Sequence, residues 1–198
     1  MDFIQYTGNN LLLGVYLMKD IRLRRMLETA LCTALLCIAA PLIIPLTFSA
    51  VPLSLATWVV YIISAILGLK RGVICVLLYL LIGVVGVPVF SGWEAGFQKF
   101  IGPTGGYLAG YIFIAGFTGF SSDKFGFNTL MCSAFMILGT LFCYALGTMW
   151  LAYAMKLSIG QALLAGVVPY IPLDIVKIAT AAPIAIKIKR RLTKIHSM

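Results

Sequence analysis

The chain has 198 residues, 62% of them hydrophobic and only 11% charged, with a mean hydropathy of +1.05. A soluble domain carries about 25% charged residues, so the composition excludes an ordinary water-soluble enzyme and predicts a single integral membrane domain. The formal net charge is +9, but most Lys and Arg lie at the ends of apolar segments, as topology and anionic headgroups require, and no nucleic-acid partner is expected.

Residues 1–25 read as an N-terminal interfacial segment or leader carrying a basic cluster. The first apolar patch, Leu11 to Met18, is shorter than the ~20 residues that cross a bilayer. It precedes the basic cluster instead of following it, which argues against a cleaved signal peptide. Six spanning segments are expected after it, over residues 26–46, 51–69, 72–89, 105–120, 127–155 and 159–188. The last is expected to be re-entrant or broken before Pro172 and a proper helix after it. Pro41, Pro45, Pro169, Pro172 and Pro183 mark bends or helix starts. The six-helix domain closes near residue 190, and 191–198 is a basic cytoplasmic tail.

Charge sets the orientation. Of the 15 Lys and Arg, all but Lys99, Lys156 and Lys177 fall before segment one, between segments two and three, between four and five, or after six. The positive-inside rule then makes both termini cytoplasmic and puts the 1–2, 3–4 and 5–6 connections outside. The fold expected is therefore an all-α integral membrane protein with six transmembrane helices, embedded in the lipid bilayer of the plasma membrane.

Segment one carries Ala30 and Ala34. Small residues four apart let helices approach closely in lipid, which suits a membrane partner or plain internal packing. The 3–4 connection, Gly86 to Gly110, is rich in glycine and aromatics. Gly102-Pro103-Thr104-Gly105-Gly106 is a turn leading into a helix start, where glycines would let backbone N–H groups approach a ligand. Trp93, Phe97, Phe100 and Tyr107 could form an apolar wall with polar tips, or an interfacial belt around a tight turn. Glu94 most simply faces water. Lys99 could attract an anionic group or merely snorkel.

The final segment begins PYIPLDIVK, Pro169 to Lys177. Asp174 and Lys177 stand at i and i+3, on one helix face, among Ile, Val, Leu and Ala. Ionisable groups there are expensive and mark substrate or ion paths. The pair could offer an acceptor and a donor to a urea- or amide-like group, act as a proton relay, or serve as a structural ion pair. Hydrolytic chemistry finds no support: His196 is the only histidine, and there is no HExxH, no P-loop and no Ser/His arrangement. The five cysteines lie in apolar runs without a CxxC pair and read as small buried hydrophobes. No metal and no cofactor are expected in this chain.

GVPVF (86–90), GPTGGYLAG (102–110) and PYIPLDIVKIA (169–179) together resemble the BioY family, the biotin-binding S components of energy-coupling-factor (ECF) vitamin transporters. Lys70-Arg71-Gly72 with the apolar run after it, and the Ile44-Pro45 to Leu53 stretch, resemble it too, so that the likeness covers about 26–190. The resemblance implies a six-helix fold taking biotin from outside, partnered by a transmembrane coupling protein and two cytoplasmic ATPases that use the ATP. It implies that Asp174 and Lys177 bond the ureido ring, that the turn from Gly102 to Gly106 helps close the pocket, and that Ala30 and Ala34 dock the coupling protein. Many relatives are Gly-rich between Phe90 and Gly102; this chain has Trp93 and Glu94 there, leaving Gln98 and Lys99 as candidates for the biotin carboxylate. The expected function is a high-affinity biotin uptake component, not an enzyme. The alternatives are an S component for another vitamin, or a membrane enzyme using Asp174 and Lys177 for proton chemistry.

Overall fold

The structure, a computed structural model, describes residues 21–44 and 53–196. The patch Leu11 to Met18, Lys19, Pro45 and the Val51-Pro52 pair lie outside the described residues. Helix α1 runs Ile21–Ala39. It starts inside the basic cluster and stops two residues before Pro41, because the ring bars the residue ahead of it from helical geometry. The segment expected over 26–46 is therefore shifted toward the N-terminus. Strand β1 (Ile43–Ile44) pairs antiparallel with β2 (Leu53–Ser54), Ile43 opposite Ser54.

Helix α2 (Ala56–Leu67) and helix α3 (Leu69–Val84) meet at Gly68 alone. Gly68 has φ +81°, a conformation that favours glycine. A Cβ there would also collide with the Asp123 carboxylate, whose Oδ2 accepts from Leu69 N at 2.9 Å and so satisfies the start of α3. Both helices are shorter than the expected segments: the 12 residues of α2 rise about 18 Å.

The connection after α3 carries a single turn, α4 (Gln98–Ile101), and leads into α5 (Gly105–Phe125). Helix α6 (Thr129–Met155) starts with Asn128 accepting from Met131 N at 3.2 Å, the side-chain cap its type favours. Ser158 and Gln161 form a reciprocal capping box on α7 (Ile159–Gly166). The chain then breaks and continues as α8 (Ile171–His196). The sixth apolar stretch is thus two helices bent by 48°, with Pro172 in the first turn of α8, where its missing N–H costs little.

The exterior is as apolar as the core, and several polar side chains are buried. Exposed positions include Leu31, Leu35 and Ile38 on α1, Leu138, Leu141 and Phe142 on α6, and Ile175 and Val176 on α8. Buried positions include Ser64, Thr118, Ser121, Thr140 and Asp174. An apolar exterior of this extent belongs against lipid or a partner. Among the described residues, α6 is apolar and long enough to cross a membrane alone, and α7 with α8 qualifies as a bent pair.

Helices α5 and α6 make the most intimate pair, held together by glycines. A Cβ on Gly139 would lie 2.8 Å from Ile114 Cα, one on Gly110 would lie 2.9 Å from Cys143 Cα, and one on Gly106 would lie 2.7 Å from Leu146 O. These distances are below any real carbon contact, so the backbones touch only because the side chains are absent. Gly139→Val is expected to cost about 1–3 kcal/mol by overpacking. Gly116→Ala, on the open side of α5 with nothing within 4 Å, should be close to neutral. Melting temperatures of the two variants in detergent check this.

Candidate functional site

Asp174 lies in the first turn of α8 and is 6% exposed. Its backbone N–H donates to Tyr170 O at 2.8 Å across the α7–α8 break. The carboxylate therefore sits at a helix N-terminus, where the peptide dipoles favour negative charge. Tyr144 of α6 donates its hydroxyl to Asp174 Oδ2 at 2.5 Å. Lys177 Nζ stands 3.1 Å from Oδ1.

The ammonium has three donors. It donates to Ser54 O in β2 and to Thr57 Oγ1 in α2, both at 2.9 Å, and its third neighbour is Asp174 Oδ1. Lys177 thus ties α8 to the start of α2. Although Oδ1 is within ion-pair distance of Nζ, it accepts no well-aligned hydrogen bond. The charge is compensated while acceptor capacity on that oxygen stays open.

Asp174 lines a narrow cavity of about 50 Å³. Its walls include Tyr107 and Tyr111 of α5, Cys143 and Tyr144 of α6, and Tyr170 at the break. Its polar end is Asp174, Lys177, Ser54 and Thr57. Tyr107 directs its hydroxyl to Gly166 O at 3.1 Å, which fixes the ring against the end of α7. Thr140, also in the lining, donates to Met136 O at 2.8 Å, so Tyr61 is the donor in its 2.5 Å bond to Thr140 Oγ1. The arrangement suits a largely apolar solute that brings one or two N–H donors to a neutral, pre-formed polar end.

The structure brings Asp174, Lys177 and Tyr107 together at this cavity and sets the other candidate residues elsewhere. Gly105 and Gly106 serve chain packing: a Cβ on Gly105 would overlap Phe100 O, and Gly106 abuts α6. Gly102 O accepts from Trp150 Nε1 at 2.9 Å, fastening the turn to α6. Thr104 is buried at the head of α5. Gln98, Lys99, Gly102 and Pro103 border a separate depression with Glu94. Lys99 Nζ is engaged there by Glu94 Oε2 at 2.7 Å. Trp93 is 61% exposed at a turn with φ +63°.

Trp93, Phe97, Phe100 and Tyr107 form no common wall. Instead Phe90 is the buried anchor of the connection, edge-on to Tyr79 at 5.6 Å and to Phe100 at 5.8 Å. Ala30 and Ala34 are exposed on α1, beside the exposed Leu27, Leu31 and Leu35.

Sequence reasoning missed Ser54, Thr57, Tyr111 and Tyr144. The one available signal was hydroxyls scattered through apolar runs, Thr57 between Ser54 and Tyr61 and Tyr144 between Thr140 and Thr148.

The model of the BioY family matches residues 15–194. A Thermotoga maritima protein named biotin transporter BioY is 35% identical over 169 residues, 85% of this chain and 97% of that one. A probable biotin transporter BioY of Bacillus subtilis is 30% identical, over 90% and 97% of the two chains. Among solved structures, the S-component for biotin from an ECF-type ABC transporter superposes with a TM-score of 0.80 at 26% identity, covering 87% of this chain and 94% of that one.

Removing one member of a buried ion pair leaves the other uncompensated, at about 3 kcal/mol or more. Lys177→Met is expected to destabilise the protein by that order. Adding Asp174→Asn should restore part of the loss, because no charge then remains. Chemical or thermal unfolding of both single variants and the double variant measures the coupling.

Proposed function

The chain belongs to the BioY family, and from that premise we propose that it is the biotin-binding S component of an ECF-type vitamin uptake transporter. The observation that carries the reading is the open acceptor at Asp174 Oδ1, at the polar end of a cavity walled by tyrosines. A ureido N–H of biotin would donate to Oδ1, and Tyr144 would keep the carboxylate turned toward it. Lys177, with its donors directed to Ser54 O, Thr57 Oγ1 and Asp174, neutralises the carboxylate and presents its ammonium to the ureido oxygen when Thr57 yields. The thiophane ring and the start of the valeryl chain would lie against Tyr107, Tyr111 and Tyr170.

The proposed topology has six spans and both termini in the cytoplasm, as the positive-inside rule gives it. Biotin then enters from the outer side, where the start of α8 lies. The partners in this reading are a transmembrane coupling protein and two cytoplasmic ATPase subunits. The exposed apolar face of α1 around Ala30 and Ala34 supplies the docking surface, since small side chains permit close helix approach in lipid. The chain itself catalyses nothing and holds no cofactor in this reading; ATP is used by the partners. For the biotin carboxylate, Lys99 qualifies only if Glu94 swings away, while Gln98 offers neutral donors beside it.

Purified protein should bind biotin saturably, and a panel of other vitamins should not raise its melting temperature. Lack of saturable biotin binding removes the assignment. Asp174→Asn replaces the acceptor oxygens by an amide that places a donor against a donor. It should weaken biotin by about 1–3 kcal/mol, roughly five- to a hundredfold in Kd. Tyr144→Phe should weaken it less, because the charge stays and only its orientation is freed. An unchanged Kd for Asp174→Asn, measured by titration in detergent, would place the ureido ring elsewhere.

A further inference from the structure

A second, larger cavity of about 430 Å³ lies at the opposite end of α8 from Asp174. It is bounded by α1 (Glu28, Leu31, Cys32), by the end of α2 (Ile66, Leu67), by Arg71 at the start of α3, and by Lys189, Leu192 and Thr193 of α8. We infer that this cavity seats the phosphate and upper acyl chain of an anionic glycerophospholipid, with Arg71 and Lys189 facing the phosphate.

Charge is the first support. Glu28 is shared by two guanidiniums: Arg71 Nη1 donates to its Oε2 at 2.7 Å, and Arg24 Nε stands 3.3 Å from its Oε1. One carboxylate thus faces two cations. Lys189 adds a third; it donates to two neutral oxygens, Ser122 O at 2.9 Å and Ser122 Oγ at 2.6 Å, with the Asp123 charge close enough to act on it. Asp123, the other carboxylate near this end, accepts from Leu69 N. The cluster keeps a positive excess. Arg71 also retains guanidinium donors beyond Nη1–H to Glu28, in the fork geometry that suits a phosphate.

Shape and polarity are the second support. Apart from the charged groups and Thr193 the lining is apolar, and it reaches Leu31, which is 71% exposed on α1. Free phosphate would gain nothing from Leu31, Ile66, Leu67 and Leu192, whereas a phospholipid presents a charged head and an apolar chain in the order the cavity offers them. Basic recesses between helices at a membrane surface take anionic headgroups for this reason. The inference requires only that the chain is a membrane protein and does not depend on the vitamin bound at Asp174.

The test uses the full chain in neutral detergent and follows melting temperature against added phosphatidylglycerol, phosphatidylcholine or inorganic phosphate. A ligand that binds the folded state raises the melting temperature with the logarithm of its concentration once that exceeds Kd. Phosphatidylglycerol should give a rise that grows logarithmically with its concentration, and the other two should give none. Lys189→Gln should need about tenfold more phosphatidylglycerol for the same rise, as expected for one charged hydrogen bond lost. Lys187→Gln, which removes the same charge from an exposed position outside the cavity, should not. Ile66→Trp keeps every charge and fills the space, and should abolish the rise. An equal shift in Lys187→Gln would make the effect general surface attraction, a rise with inorganic phosphate would make it a phosphate site, and retention of the effect in Ile66→Trp would empty the cavity of its role.

Discussion

One carboxylate, Asp174, dictates much of what its end of the helix bundle does. Buried at 6% exposure in an apolar helix, its carboxylate needs charge and dipoles to meet it there. Three elements converge to do so. The N-terminus of α8 offers its peptide dipoles, α6 sends Tyr144, and Lys177 brings in Ser54 and Thr57 from the start of α2. The break between α7 and α8 belongs to the same requirement, because a continuous helix through 159–188 would leave Asp174 mid-helix, away from the favourable end.

The glycine seam between α5 and α6 makes that convergence possible. Tyr107 stands in α5 and Tyr144 in α6, and both face one cavity only because Gly106, Gly110 and Gly139 let the two backbones touch. In lipid the association of helices gains little from burying apolar surface, so close packing and internal polar bonds must hold them. The bonds present fit that demand: Tyr61 to Thr140 joins α2 to α6, Trp58 to Thr180 joins α2 to α8, and Ser122 to Ala65 joins α5 to α2.

What the sequence disclosed follows from the same physics. Asp174 and Lys177 were legible because a carboxylate and an ammonium one turn apart in an apolar run are locally anomalous. The broken last segment was legible from Pro169 and Pro172. Thr57 and Tyr144 were not, because their meaning comes from partners 120 and 30 residues away, and a single hydroxyl in a spanning helix is unremarkable by itself. The GPTGG turn was read with the right residues and a different use: Gly105 and Gly106 make room for Phe100 and α6, since a glycine signals close approach without saying to what. Segment limits moved where prolines and Gly68 cut the apolar runs, a local effect that hydropathy averages away. Lys99 looked available because its carboxylate neighbour Glu94 was assigned to water, whereas the turn of α4 brings the two within 2.7 Å.

The balance at the polar end constrains what can bind there. Lys177 and Asp174 cancel, so a ligand bringing a net charge to that end would leave one charge uncompensated in a poorly solvated space. A neutral group with N–H donors meets the open Oδ1 without disturbing the ion pair. Acceptors alone would face that oxygen unfavourably and leave its capacity unmet. The site thus selects for a neutral amide- or urea-like head over an ammonium or carboxylate one, and it leaves any charged end of the ligand to be placed at the far, wetter mouth. Selectivity of this kind rests on the penalty for the wrong group more than on the strength of any one bond, which is why a pre-formed ion pair fixed by Tyr144, Ser54 and Thr57 serves recognition better than a mobile one.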